Sequence, residues 1–145
     1  MPYSPLIVNP MREELASIGF EDLMTADAVD TFMNEKASSA ILVVNSVCGC
    51  AAGQARPGLA MAMRSENKPE RLVTVFAGQD VEATQKARGY FADIPPSSPS
   101  IALFKEGELV YFVPRHRIES RSAEDVAADL TAAFDRYFAP SIPVS

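Results

Sequence analysis

Cys48-Gly49-Cys50 contains both cysteines of the chain, two thiols separated by one residue. A thiol becomes a nucleophile only as its thiolate, so the question is what surrounds the pair. Before it runs Ile41-Leu42-Val43-Val44, a continuous apolar stretch of the kind a buried parallel strand requires, and after it Ala51-Ala52-Gly53-Gln54-Ala55 can open a helix. A strand that hands over to a helix there places both sulfurs at a helix N-terminus. Unpaired backbone N–H groups and the positive end of the dipole favour thiolate over thiol at that position, and redox exchange is the chemistry expected.

Three other readings of the pair stay open. Free cysteine is common in cores, so each thiol taken alone could be packing. A soft metal is the second alternative, although Cys-x-Cys with the single histidine, His116, supplies too few ligands for a closed tetrahedral zinc site in one chain. A redox sensor without turnover would use the same two thiolates.

The chain has 145 residues, 48% of them hydrophobic and 22% charged, which fits one globular core, and residues 1–145 are expected to form a single domain. The formal charge of -6 and the lack of a basic run longer than Arg115-His116-Arg117 argue against nucleic acid and against anionic membrane as partners. The start, Met1-Pro2-Tyr3-Ser4-Pro5, has no basic segment followed by an apolar one, and no stretch is long and apolar enough to span a bilayer. A soluble, cytoplasmic protein is expected, and in a reducing cytosol two cysteines point to catalysis or metal binding more than to a structural staple.

The elements that must position the pair read as follows. Asn9 as cap with Pro10 at the first helical position starts a short helix that Gly19 stops, and a second helix covers Ala26 to Lys36 with Val29, Phe32 and Met33 on one face. Then come strand Ile41–Val44, helix Cys50–Arg64, strand Leu72–Phe76 and helix Val81–Phe91. Ile101–Phe104 and Leu109–Val113, joined by Lys105-Glu106-Gly107-Glu108, read as a hairpin. A last helix opens at Ser122 and buries Val126, Leu130, Phe134 and Tyr137 or Phe138.

This βαβαββα order, with cysteines at the first strand-to-helix junction, resembles the thioredoxin-like fold. The resemblance implies an α/β protein: a three-layer α/β/α sandwich around a four-stranded mixed sheet, with two helices added at the N-terminus. Ser98-Pro99 ahead of Ile101-Ala102-Leu103-Phe104 is similar to the thioredoxin segment in which a cis-proline faces the cysteines and the preceding residue offers backbone hydrogen bonds to substrate. Pro57, inside the helix after the cysteines, should kink it, as in thioredoxins. The motif departs from the thioredoxin Cys-x-x-Cys. Asn45-Ser46-Val47-Cys48-Gly49-Cys50-Ala51-Ala52-Gly53-Gln54-Ala55-Arg56-Pro57, with Ala77-Gly78-Gln79-Asp80 and Arg115-His116-Arg117-Ile118-Glu119 downstream, resembles the bacilliredoxin family, earlier described as disulfide isomerases.

That resemblance implies removal of bacillithiol, a low-molecular-weight thiol, from mixed disulfides on client proteins, with no bound cofactor, the thiol as co-substrate, and a flavoenzyme reductase for regeneration. Cys48, nearer the strand end, is the expected nucleophile; Cys50, a step into the helix and more enclosed, is the resolver. A disulfide closed across one residue should be strained and readily reduced, with Gly49 supplying backbone freedom. Candidate substrate-binding residues are Gly49, Ser98, Pro99, Asn45, Ser46 and Arg56. Arg56 would hold a carboxylate or belong to a solvated helix face; Asn45 and Ser46 would brace the turn that presents Cys48 or cap the helix. His116 would assist proton transfer or lie on the surface between its arginines. The added helices would cover the sheet or form a homodimer contact.

Overall fold

Strand β2 (Ala40–Asn45) sends Ile41 and Val43 into one core and Ala40, Leu42 and Val44 into another, all fully buried, because successive side chains of a strand leave on opposite faces. The structure, a computed structural model, describes residues 3–140. Around β2 lie α1 (Pro5–Ala16), β1 (Glu21–Asp22), α2 (Ala26–Asn34), a π-helical turn (Ala51–Ala55) continuing into α3 (Arg56–Ala62), and β3 (Arg71–Phe76). Then follow α4 (Val81–Gly89), β4 (Ser100–Lys105), β5 (Glu108–Val113), α5 (His116–Glu119) and α6 (Ala123–Phe138).

The sheet order is β1-β3-β2-β4-β5. β1 and β2 run parallel to β3, whereas β4 is antiparallel to β2 and to β5. One face packs Leu59 of α3 with Val126, Leu130 and Phe134 of α6 and Leu15 of α1; the other packs Val29, Phe32 and Met33 of α2 with Ala83 and Ala87 of α4. These are the three expected layers, and both added helices cover the sheet. The β4–β5 turn places Glu106 and Gly107 at φ 53 and 86, the left-handed pair that a tight two-residue hairpin demands.

Four details differ from the sequence reading. The sheet has five strands, since Glu21 and Asp22 pair with Val73 and Thr74 at one edge; two acidic residues carry no strand pattern of their own, and buried Phe20 and Leu23 on either side hold them there. Helix α1 starts at Ser4-Pro5 rather than Asn9-Pro10, with Ser4 Oγ accepting from the Leu6 N–H, because its buried face already begins at Val8. The break after the cysteines is the π turn, in which the Arg56 N–H reaches the Ala51 carbonyl and the wider turn makes room ahead of the Pro57 ring. A short α5 anchored by buried Ile118 follows β5.

Helices α3 and α6 approach closely at Gly58: a Cβ there would stand 2.8 Å from Val126 Cγ1 and 3.0 Å from the Ala123 carbonyl oxygen. The backbone contact cannot rotate away, so Gly58→Ala is expected to lower stability by about 1–3 kcal/mol in a urea titration. An unchanged midpoint would show that the two helices separate at no cost.

Candidate active site

Strand β2 ends at Asn45, Ser46-Val47 turn the chain, and helical residues begin at Gly49. The Cys48 carbonyl accepts from the N–H groups of Ala51 and Ala52 at 3.1 and 3.3 Å, which makes Cys48 the N-cap of the helix that follows. An N-cap side chain faces the free N–H groups two and three residues on, here Cys50 and Ala51. Both cysteines are free, half-buried, and 2.7 Å apart at sulfur. Gly49 between them is exposed, with open space where a Cβ would stand.

The two thiols are driven apart. Burial pushes the Cys48 thiol up, but hydrogen bonds from the Cys50 thiol, the Ser46 hydroxyl and the Ala51 and Cys50 amides outweigh it and hold the group below its ordinary value. Burial also pushes Cys50 up; the hydrogen bond it shares with Cys48 and the charge on Cys48 add to that, and the positive charge of Arg115 offsets only part. Helix position was expected to activate both sulfurs and enclosure to distinguish them. Both are instead enclosed to a similar degree, and sharing one proton separates them.

Behind the turn lies Arg56, its side chain only 4% exposed. Its Nη1 donates to Asn45 Oδ1 at 3.0 Å and to the Ser46 carbonyl at 2.9 Å, and its Nε pairs with Glu14 of α1. The solvated-face reading of Arg56 is therefore overturned, and its donors are committed inward rather than towards a substrate carboxylate. Asn45, fully buried, also accepts from the Ser46 N–H at 2.8 Å and donates weakly to the Met11 carbonyl, so it too faces the protein. Ser46 Oγ accepts from the Cys48 N–H at 3.2 Å, so it braces the turn that presents Cys48. Arg56, Asn45 and Ser46 thus position the site from behind.

The opposite wall is the loop before β4. Pairing of Val44 with Ser100 sets Pro99 and Ser98 beside the end of β2, and the Ser98-Pro99 peptide bond is cis. Two arginines hold this loop. Arg88 Nη2 donates to the Ser97 carbonyl at 3.3 Å, the Arg115 N–H donates to Ser97 Oγ at 3.2 Å, and Arg115 Nη1 reaches the Ser98 carbonyl at 3.4 Å. Arg115 escaped the sequence reading as a site residue; its only signal there was its place in a segment resembling the family. His116, beside it on α5, is exposed and its side chain makes no hydrogen bond among the described residues. Also among the described residues, no group of three or more His, Cys, Asp or Glu stands together as a metal cluster, and no helix is long and apolar enough to cross a membrane. A metal held by the two cysteines would need further ligands from outside this set.

Known proteins with this arrangement were found at two levels. Solved thioredoxins match the fold: one from Halobacterium salinarum has a TM-score of 0.58 at 14% identity over 87% of this chain and 96% of its own. The oxidised thioredoxin of Plasmodium falciparum has a TM-score of 0.57 at 16% identity over 83% of this chain and all of its own. In sequence, residues 3–138 match the family described as Disulphide isomerase. A bacilliredoxin of Geobacillus kaustophilus is 54% identical over 93% of this chain and 94% of its own, and one of Koribacter versatilis 53% identical over 93% of each. Agreement of that extent, on a thioredoxin fold that brings two free cysteines together, means that the chain belongs to the bacilliredoxin family and is a thiol-disulfide oxidoreductase.

Proposed function

We propose that this protein removes a low-molecular-weight thiol of the bacillithiol type from mixed disulfides on client proteins, with Cys48 as attacking thiolate and Cys50 as resolving thiol. The observation that supports this reading best is the pair of free, half-buried sulfurs 2.7 Å apart at a helix start, where the donors around Cys48 favour its thiolate over that of Cys50. Cys48 attacks the small-thiol sulfur of the mixed disulfide; the S–S bond breaks, its electron pair leaves on the client sulfur, and the client departs reduced. The charge on Cys48 is then gone, and with it the repulsion and shared hydrogen bond that hold the Cys50 proton in place. Cys50 loses that proton and attacks Cys48 Sγ, expelling the small thiol and leaving the two cysteines as a disulfide. Two electrons reopen it, from a flavoenzyme reductase or from two small thiols that leave joined as their own disulfide. The Ser98 backbone beside cis-Pro99 offers the client its docking edge, exposed Gly49 leaves the approach clear, and the reaction belongs in a reducing cytoplasm. Disulfide isomerisation would share the first step, with a client sulfur in place of the small thiol.

Intact-mass analysis tests the assignment directly. Mixed with a client carrying a bacillithiol mixed disulfide, Cys50→Ala should gain the mass of the small thiol as the client loses it, while Cys48→Ala gains nothing. Uptake by Cys48→Ala, or by neither variant, would overturn the assignment.

Thiolate reactivity rises as pH climbs through the group's pKa, so a lowered pKa moves the whole profile to lower pH. Iodoacetamide should modify Cys48 with a midpoint below the ordinary thiol value of 9.0, and Cys50 only above it. Cys50→Ala removes a donor and should move the Cys48 midpoint up, whereas Cys50→Ser, which keeps one, should move it less.

Arg56→Met keeps the buried stem and removes the donors that satisfy Asn45 and Ser46. A stability loss of about 1–3 kcal/mol is expected for buried acceptors left without this partner, together with a higher Cys48 midpoint as the Ser46 brace loosens. Lost stability with an unmoved midpoint would mean that Arg56 supports the fold and not the thiolate.

A further inference from the structure

Arg115 stands out among the cations near the cysteines because its guanidinium is only partly committed. Arg56 is buried against Glu14, while Arg117 and Arg121 both pair with Asp129. Arg115 sits on the surface, its Nε 3.0 Å from Glu119 and its Nη1 at the Ser98 carbonyl, and its Nη2 makes no hydrogen bond among the described residues. The Glu119 pair is about half exposed on both sides, the kind of ion pair that water and salt keep weak. The residue nevertheless has a fixed place: its N–H is held by Ser97, its side chain reaches the residue before cis-Pro99, and α5 behind it packs on the π turn that follows Cys50. Its positive charge is felt at both sulfurs.

We propose that Arg115 recognises a carboxylate on the small thiol as that thiol is transferred to Cys48. The inference rests on the dethiolation reading above and adds the chemical class of thiol preferred: an anionic one that carries a carboxylate. A guanidinium presents paired N–H donors in the geometry of a carboxylate, and its open Nη2 edge supplies them here without breaking the contact to Ser98. The protein as a whole carries a charge of -6, so an anionic thiol is disfavoured over most of the surface and needs a local cation at the place of reaction. Glu119 competes for the same guanidinium and tempers the affinity.

The test compares two probes matched in size and different in charge, mixed disulfides of one client cysteine with 3-mercaptopropionate and with its neutral amide, 3-mercaptopropionamide. Transfer rates to Cys50→Ala enzyme are read by intact mass, and the quantity of interest is the ratio of the anionic to the neutral probe, which cancels any change in Cys48 reactivity. Arg115→Gln should lower this ratio by about tenfold, the scale of one charge-assisted hydrogen bond. Arg115→Lys should restore part of it, Glu119→Gln should raise it, and added salt should lower it in the parent but not in Arg115→Gln. A ratio that Arg115→Gln leaves unchanged overturns the proposal while dethiolation stands. If the parent accepts neither these probes nor bacillithiol, the dethiolation reading falls and this inference falls with it.

Discussion

A guanidinium keeps its proton under all ordinary conditions, so burying one forces acceptors to converge on it. Arg56, 4% exposed, gathers three: Glu14 from α1, the Asn45 side chain from the end of β2, and the Ser46 carbonyl from the turn beyond. Strand, helix and N-terminal extension are thereby tied at one point, directly behind Cys48. The arrangement avoids the full penalty of a buried ion pair, because Glu14 is 55% exposed and keeps much of its hydration. What is fully enclosed is the pairing of guanidinium with neutral oxygens, and those oxygens belong to the residues whose geometry decides where Cys48 stands. From there the chain of contacts is short: Asn45 Oδ1 takes the Ser46 N–H, and Ser46 Oγ takes the Cys48 N–H.

Helix α1 gains its place from a second arginine in the same way. Arg12 makes a two-pronged contact with Asp80 at 2.8 and 2.9 Å, touches Asp22 at 3.2 Å and lies over the Phe76 ring. Its partners come from the start of α4 and from β1, so the N-terminal helix, the edge strand and the end of β3 are joined in one network. The Tyr3 N–H donates to Gln79 Oε1, and the Tyr3 ring lies beside Gly78, whose φ of +80 and close neighbour leave no room for a side chain. Ala77-Gly78-Gln79-Asp80 is therefore the segment that docks the N-terminal extension. With Arg12 on one side and Glu14 on the other, α1 is a buttress of the active-site end of the sheet.

Much of this was legible in the chain because it depends on local order. Strand alternation, the apolar faces of α2 and α6, the Ser122 cap, the hairpin turn at Glu106-Gly107, and the two cysteines next to a buried strand each follow from neighbours in sequence. What escaped depends on partners far along the chain. Arg56 on a helix looks like a surface cation until Glu14, 42 residues earlier, and Asn45, 11 residues earlier, are folded against it. Strand β1 consists of two acidic residues and exists only because β3 offers an edge to pair with. Helix α1 starts earlier than Asn9-Pro10 suggests because Val8 is buried, and the burial of one valine is not a local signal. The π turn is likewise a compromise between Pro57 and the helix around it, visible only as a backbone.

The one-residue spacing itself explains why the two cysteines differ. A helix N-cap side chain accepts from the amides two and three residues on, and with Cys48 as the cap the first of these is the amide of Cys50. The second cysteine therefore helps the first twice, through its backbone N–H and through its S–H. It has no comparable set of donors for its own sulfur: its own amide and the field of exposed Arg115 favour its thiolate, and burial together with the charge on Cys48 prevails over them. The asymmetry is thus a consequence of placing two equal thiols one residue apart at one helix start, and it lasts only while Cys48 is charged. Once that sulfur is bonded to another, the contact that kept Cys50 protonated no longer has an acceptor with a negative charge. In the proposed dethiolation, the geometry of the turn would by itself order attack before resolution, with no further residue needed to switch between them.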